Sequence, residues 1–142
     1  FAASGTAAIG RAMAGVVAAR RTAGTGIVHS AVEHSAVLKA AAAHGTPTEA
    51  PVDRDGRLLP EDFASRVLAP AVVLAAVQSA NHEVGTRQPV ETVAEICSSA
   101  GVPLLVDAAQ SAGYEPVPPG WSLLTASARF RTALAVLSPL AA

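Results

Sequence analysis

Long apolar runs recur along the chain and are separated by polar or helix-like stretches. The continuous apolar run at residues 71–77 has the length and composition of a strand that is covered on both faces of a sheet. The short apolar runs at residues 27–31 and 102–106 also predict buried strands. A further strand is predicted at residues 122–125. Runs of this kind favour a parallel sheet buried between layers of helices.

Helix-like segments fill the spaces between these strands. Their composition predicts helices over residues 5–21, over residues 33–43, from Pro60 onwards and over residues 89–100. Gly45 ends the second helix, with Pro47 beyond it as a stop signal, and Gly101 closes the last. Strands separated by such helices predict an α/β fold with a mainly parallel sheet and helices on both faces.

Composition and charge narrow the class of protein. The 142 residues carry a formal net charge of -1, and 51% of them are hydrophobic although 4% are aromatic. The near-neutral charge, with no basic cluster, argues against nucleic acid as a partner. No segment reaches the roughly 18 apolar residues that span a bilayer, so no membrane partner is expected. The single cysteine, Cys97, fits a reducing compartment and predicts a cytoplasmic protein, and the start at Phe1 is expected to be a cut through a longer chain.

Polar side chains follow three of the predicted strands at the point where each strand ends. In open parallel sheets, ligands bind beyond the carboxyl ends of the strands. The residues at these places are Glu33 and His34, then Asn81, His82 and Glu83, then Asp107 and Gln110. The sequence therefore predicts a ligand site at this edge of the sheet.

Each candidate residue also has a structural interpretation. Ser4-Gly5-Thr6 precedes a helix, where free N–H groups and the Thr6 hydroxyl can bind an anion or merely form an N-cap. Asp107 either caps the next helix or pairs with a cationic ring nitrogen or a metal. A metal is not expected, because one aspartate with scattered histidines has no recognised ligand spacing. His34 is either structural, or stacks on a flat cofactor or transfers a proton.

Three segments in order along the chain carry a family resemblance. They are AVEHSAVL at residues 31–38, NHEVGTRQP at residues 81–89 and VDAAQSAG at residues 106–113. The sequence resembles the cysteine desulfurases, within the class V aminotransferase group of pyridoxal-phosphate enzymes, from residue 1 to 127. The resemblance implies the large domain of a pyridoxal-phosphate-dependent transferase of fold type I, in incomplete form. Residues 1–128 would be the partial cofactor-binding domain, and residues 129–142 depart from the family pattern.

The resemblance implies three contacts with the cofactor ring. His34 would stack on the pyridine ring of pyridoxal 5'-phosphate and assist proton transfer, as the catalytic residue found in this chain. Asp107 would pair with the protonated ring nitrogen, and Gln110 would donate a hydrogen bond to the ring oxygen.

The resemblance also implies a phosphate site and a substrate loop. Gly5, Thr6 and Ser127 would hold the cofactor phosphate through backbone and hydroxyl groups. Asn81 and His82 would contact the cofactor from a loop that borders the ring and the substrate carboxylate.

The implied reaction converts L-cysteine to L-alanine and passes the sulfur to an enzyme cysteine as a persulfide. A sulfur-acceptor protein, a role in iron–sulfur cluster assembly and a homodimer are implied in the same way. Another class V enzyme acting on a related amino acid remains an alternative within the fold.

The sequence departs from the family pattern at three places. His82 stands where the family has Asn, and Ala7 stands where it usually has Glu. After Ser127 the family continues to the lysine that forms the Schiff base with the cofactor, whereas this chain continues Ala-Arg-Phe-Arg and its only lysine is Lys39. The chain is therefore expected to be inactive by itself. A reading-frame shift would explain the change, and a degenerate homologue that binds the cofactor or a partner without catalysis is the alternative.

Cys97 does not match the family's sulfur acceptor. It lies within the predicted helix over residues 89–100, whereas the acceptor belongs on a mobile loop far along the family's chain. We expect a buried, unreactive thiol.

Overall fold

The structure is a computed structural model that describes residues 2–114 and 116–126, together with the backbone of residues 134–137. The helices are α1 (Gly5–Arg20), α2 (Ser35–His44), α3 (Pro60–Val67) and α4 (Val90–Ala100). The strands are β1 (Gly26–Ser30), β2 (Thr46–Ala50), β3 (Val72–Gln78), β4 (Leu104–Asp107), β5 (Leu123–Ala126) and β6 (Leu134–Leu137).

The strands form one sheet in the order β2-β1-β3-β4-β5-β6. Every neighbouring pair from β2 to β5 is parallel, and β6 pairs with β5 in the antiparallel direction. The predicted mainly parallel sheet is confirmed. The polar residues that follow β1, β3 and β4 consequently meet at one edge of the sheet.

Helices cover both faces of the sheet, as predicted. On one face, Phe63 of α3 and Val93 of α4 pack in a cluster with Val28 of β1. On the other face, Met13 of α1 packs in a second cluster with Ile27 of β1. Adjacent strand residues point to opposite faces, so β1 contributes to both clusters and is buried on both faces.

The strand β2 was not predicted. Gly45 does end α2, and Pro47 was read as a stop signal, but the chain continues as a strand parallel to β1. Proline lacks the N–H of a ladder hydrogen bond and is tolerated on an edge strand. The first four residues of β2 are exposed, and the strand therefore has no apolar run from which it could be predicted.

Two helix signals of the sequence have the expected geometry. Pro60 is the first residue of α3, with Glu61 and Asp62 in its first turn. Gly101 ends α4 in the left-handed conformation and donates to carbonyl groups of the last turn. None of the helices within the described ranges is long and apolar enough to cross a membrane.

Gly24 lies where the chain enters β1 and contacts the segment before β3. Its φ is +150°, and a Cβ placed on it would lie 2.3 Å from the carbonyl oxygen of Ala71. That carbonyl also accepts a hydrogen bond of 2.8 Å from the Gly26 N–H, and moving it away from Gly24 would weaken this bond. The start of two neighbouring strands therefore depends on a residue without a side chain.

We expect Gly24→Ala to lower the free energy of unfolding by about 1–3 kcal/mol, because the methyl group overlaps backbone atoms. Gly10→Ala is the matched control, since a Cβ at Gly10 within α1 meets nothing within 4 Å. The control should raise stability by about 0.5–1 kcal/mol through helix propensity. Urea denaturation followed by circular dichroism measures both changes. Equal stability of Gly24→Ala and the wild type would contradict the proposed close contact.

Candidate active site

A cavity of about 300 Å³ lies at the carboxyl edge of the sheet, beside the first turn of α1. The sheet topology brings the ends of β1, β3 and β4 together there. Six of the predicted site residues line it: Gly5, Thr6, His34, His82, Asp107 and Gln110. The cavity thus lies at the edge of the sheet where the sequence predicts a ligand site. The roles of the individual residues stay predictions.

Asp107, the last residue of β4, is the buried acid of the cavity. Its Oδ1 accepts hydrogen bonds from the Ala109 N–H at 3.1 Å and from the Thr125 hydroxyl at 3.2 Å. Burial raises the pKa of the carboxyl above its ordinary value, although both hydrogen bonds and the nearby His34 and His82 act in the opposite direction. The contact with Ala109 closes a turn, and no helix follows in residues 108–114, so the helix-cap interpretation of Asp107 is wrong.

Glu33, between β1 and α2, is a second buried acid with a structural contact. Its Oε1 accepts a hydrogen bond of 2.8 Å from the Gln78 N–H at the end of β3. The side-chain amide of Gln78 donates in turn to the Val32 carbonyl. Burial raises the pKa of Glu33 well above its ordinary value, and the charge of Asp107 adds to the increase. Glu33 is therefore held in its protonated form over a wider range of pH than an exposed glutamate.

Two imidazole rings face the cavity in contact with each other. The ring centroids of His34 and His82 are 5.2 Å apart, and the ring planes meet at 66°. His34 is the N-cap of α2, and its Nδ1 accepts a hydrogen bond of 3.1 Å from the Ala36 N–H. The helix predicted to begin at residue 33 thus begins at Ser35, which frees the side chains of Glu33 and His34 from the helix surface.

The first turn of α1 presents backbone N–H groups to the cavity. The Ala7 and Ala8 N–H groups donate to the hydroxyl and carbonyl oxygens of Ser4. The N–H groups of Gly5 and Thr6 have no partner within the helix, because the first residues of any helix lack one. Together with the positive end of the helix dipole, they suit an anion.

Asn81 does not line the cavity. Its amide donates to the Val32 carbonyl at 3.1 Å, and its Oδ1 accepts from the N–H groups of Glu83 and Val84 at 2.8 and 2.9 Å. These bonds shape the loop that carries His82. Cofactor binding by Asn81 stays a prediction, and Ser127, the remaining predicted ligand, lies outside the described residues.

Thr125 and Gln78 support the site but received no role from the sequence. Thr125 pairs with Asp107 across β4 and β5, which places its hydroxyl on the carboxylate. Thr125 ends the strand predicted over residues 122–125, and Gln78 directly follows the one predicted over residues 71–77, so the signal was their position at the same sheet edge. Only the order of the strands in the sheet shows that these positions are neighbours.

Cys97 lies in the core away from the cavity, as predicted. It is buried on α4, and burial raises the pKa of its thiol to about 12. The thiolate is the nucleophilic form of cysteine, so this residue is unreactive near neutral pH.

We expect the stability of Glu33→Gln relative to the wild type to increase with pH. In the unfolded chain Glu33 ionises near its ordinary pKa of 4.5, whereas the folded protein keeps the proton to higher pH. Between the two values the folded state binds more protons, so the free energy of unfolding of the wild type falls by up to about 1.4 kcal/mol per pH unit. A glutamine at position 33 keeps an oxygen that accepts the hydrogen bond from the Gln78 N–H. Because it does not ionise, the variant does not lose stability in this way as the pH rises.

Urea denaturation between about pH 4 and pH 8 measures the difference, over the range in which carboxyl groups dominate such effects. Glu95→Gln is the matched control, because Glu95 is exposed on α4 and makes the same chemical change. A difference between Glu33→Gln and wild type that does not change with pH would show that Glu33 is ionised in the folded protein.

The chain is similar to curated cysteine desulfurases over most of its own length. It is 33% identical to the cysteine desulfurase IscS of Dictyoglomus turgidum in an alignment of 123 residues that covers 82% of this chain and 30% of the relative. It is 42% identical to a cysteine desulfurase of Cereibacter sphaeroides in an alignment of 97 residues that covers 64% of this chain and 24% of the relative. The chain thus spans less than a third of the length of these relatives.

Solved structures show the same fold. DndA from Streptomyces lividans is 29% identical, with a TM-score of 0.76 over 89% of this chain and 37% of that one. A protein described as NifS-like is 26% identical, with a TM-score of 0.80 over 89% of this chain and 37% of that one. The predicted fold, an incomplete large domain of the fold-type-I pyridoxal-phosphate-dependent transferases, is confirmed.

The resemblance stated from three short segments extends over all four helices and over strands β1 to β4. The family model described as Aminotransferase class-V matches residues 1–119 of the 142. The chain belongs to the class-V aminotransferase family.

Proposed function

We propose that this chain forms the pyridoxal-phosphate-binding part of a cysteine desulfurase. The observation that carries the proposal is the buried carboxyl of Asp107, which shares one cavity with the His34 ring and the first turn of α1. An acid, a flat ring and an anion site around one space are the groups that a phosphorylated pyridine needs. The curated relatives named cysteine desulfurase support the choice of reaction within the family.

The residues present fit the cofactor in both charge and shape. Both described hydrogen bonds to Asp107 fall on Oδ1, which leaves Oδ2 for a ligand in the cavity. The N–H groups of Gly5 and Thr6 lie on another part of the same wall. An anionic phosphate and a cationic ring nitrogen can therefore be satisfied at once.

Asp107 would hold a proton on the ring nitrogen of the cofactor. Pyridoxal phosphate, when bound, supplies an electron-poor ring that weakens bonds in an attached amino acid. The bonds from Thr125 and Ala109 fix the orientation of the carboxyl before a ligand arrives. A buried acid that already accepts two hydrogen bonds needs little rearrangement to pair with a cation.

His34 and Gln110 would position the ring from its face and its edge. His34 extends from the start of α2, and its hydrogen bond to Ala36 restrains the side chain. Gln110 lines the cavity three residues after Asp107 and can donate to the ring oxygen. Gly5 and Thr6 would hold the phosphate, and Ser127 would join them.

The loop from Asn81 to Gly85 would border the amino acid substrate. Asn81 fixes the loop by its three hydrogen bonds, and His82 points from the loop into the cavity. We propose L-cysteine as the substrate, L-alanine as one product, and a persulfide that is passed to a sulfur-acceptor protein. A homodimer in the cytoplasm belongs to the same proposal, which rests on the family resemblance.

We propose that residues 1–128 form the cofactor-binding domain and that the chain as given does not catalyse the reaction. The sequence Ser127-Ala128-Arg129 offers no amine where the family has its lysine. Arginine cannot replace that lysine, because its guanidinium stays protonated and is not a nucleophile. This observation also favours a second candidate, a homologue that binds the cofactor reversibly and acts as a binding or scaffold protein.

We expect Asp107→Asn to weaken the binding of pyridoxal phosphate by about 10- to 100-fold, which corresponds to the loss of one hydrogen bond to a charged group. The dissociation constant is measured by absorbance titration of the chain with pyridoxal phosphate. Asp55→Asn makes the same change of charge at a carboxyl that is 76% exposed, and its affinity should equal that of the wild type. Equal weakening by both variants would indicate a non-specific effect of charge, and no binding to the folded wild type would refute the proposed function.

We further expect no covalent adduct after sodium borohydride reduction of the chain with one equivalent of pyridoxal phosphate. Borohydride reduces an imine to a stable amine, and the chain has no lysine at the family position. Mass spectrometry of the denatured chain measures the outcome. Lys39→Arg is the control for reaction at the exposed lysine of α2. A stoichiometric adduct that persists in this variant would show that another amine of the chain performs the lysine's role.

A further inference from the structure

Three hydrogen bonds connect the segment that follows β1 to the end of β3. Oε1 of Glu33 accepts from the Gln78 N–H at 2.8 Å. The Val32 carbonyl accepts from the side-chain amides of Gln78 and Asn81. Val32 and Glu33 belong to no helix or strand, so side chains rather than a regular backbone ladder join this segment to β3.

His34 lies between two fixed points of the chain. The residue before it, Glu33, is bonded to β3, and the Ala36 N–H after it donates to its Nδ1. The cap ties the imidazole ring to α2, whereas the bond of Glu33 ties the same segment to the sheet. A shift of residue 33 would therefore move the His34 ring within the cavity that it lines.

The bond of Glu33 ends level with the acid of the cavity. Gln78 pairs with Asp107 in the parallel register of β3 and β4. The donor to Glu33 is the backbone N–H of Gln78, so the bond does not depend on the conformation of the Gln78 side chain. Glu33 thus fixes the His34 segment relative to the strand beside Asp107.

Glu33 is unfavourable for the stability of the fold. Its side chain is 6% exposed, and its Oε2 forms no hydrogen bond with the described residues. Burial of a carboxyl with an unpaired oxygen costs free energy that an apolar side chain of the same length would not cost. Polar residues that break the rules of core packing are expected beside functional sites.

We propose that Glu33 is the positioning residue of His34, and that its hydrogen bond to the Gln78 N–H holds the His34 ring where it contacts the ring of the ligand paired with Asp107. This inference rests on the proposed function for the identity of the ligand. Glu33 does not line the cavity and acts through His34. Its effect is therefore on the ligand ring and not on an anion at the first turn of α1.

Isosteric substitutions at position 33 test the bond. Glu33→Met has nearly the same size but no strong acceptor for the Gln78 N–H, whereas Glu33→Gln keeps one. We expect Glu33→Met to weaken the binding of pyridoxal phosphate by about 3- to 10-fold, the contribution of one contact between rings. Glu33→Gln should restore the wild-type affinity. Absorbance titration measures both dissociation constants.

Inorganic phosphate separates the ring from the anion site. It is titrated into each chain and followed through the NMR signals of the Gly5 and Thr6 N–H groups. We expect the same affinity for phosphate in the wild type, Glu33→Met and Glu33→Gln, because these N–H groups belong to α1. Equal weakening of pyridoxal phosphate and phosphate would indicate general damage to the cavity and would overturn the inference.

The position of the His34 ring is also measured without a ligand. The His34 and His82 ring centroids are 5.2 Å apart, so an NMR cross-relaxation signal between the rings reports their contact. The signal should persist in Glu33→Gln and be lost or weakened in Glu33→Met. Val67→Ala is the control for lost stability, because Val67 is buried on α3 in a cluster that shares no residue with the cavity wall. This control should keep the ring contact and the affinity for pyridoxal phosphate.

An intact ring contact and wild-type affinity for pyridoxal phosphate in Glu33→Met would refute the role of Glu33. If Glu33→Met does not fold, Glu33→Asp replaces it. A carboxyl that is shorter by one methylene reaches the Gln78 N–H only if residue 33 moves, so the same selective weakening is expected, and unchanged affinity counts against the inference.

The ligand-free signal distinguishes this inference from the proposed function. If the folded wild type does not bind pyridoxal phosphate, the proposed function fails, and the contact between the two rings still decides whether Glu33 positions His34. If it binds and the ring contact does not depend on Glu33, the proposed function survives and the positioning role fails.

Discussion

The parallel pairing of β1, β3 and β4 is the constraint on which the site depends. Because these strands run in one direction, their carboxyl ends meet at one edge, and the segments that leave them must turn there. The pairing of Gln78 with Asp107 brings the ends of β3 and β4 level. Apolar clusters on both faces hold this arrangement, so the polar side chains at the edge are placed by the core beneath them.

Two buried carboxyl groups, those of Glu33 and Asp107, lie near this edge and make different contacts. Glu33 is enclosed and bonds to the backbone of β3, and its ionisation is opposed mainly by burial. Asp107 is also buried, but it lies on the cavity wall, accepts two hydrogen bonds and has two imidazoles nearby. The first acid thus joins two strand ends, whereas the second is available to a cationic ligand. The cost of burying Asp107 is offset by partners that also orient it.

The cavity lies within the part of the chain that matches its family, and the sequence carries two departures from the expected family pattern. The family model covers the strand ends and loops that surround the cavity. His82 adds an imidazole beside His34, and the sequence after Ser127 lacks a lysine. Binding and covalent catalysis place different demands on a site, since binding needs matched charge and shape while catalysis also needs a nucleophile. The proposed function gives this chain the first property without the second.

The sequence by itself determined the alternation of helices and strands, because apolar runs, glycine ends and the proline at the start of α3 are local signals. It also determined which polar residues follow each strand, and hence four residues of the cavity wall, while the start of α1 indicated two more, Gly5 and Thr6. Only the tertiary structure decided that Thr46–Ala50 is an edge strand, since its exposed residues carry no apolar pattern. The same holds for the bond between Thr125 and Asp107 and for the contact between His34 and His82. These pairs are distant along the chain, and strand order and loop geometry, which no local pattern specifies, bring them together.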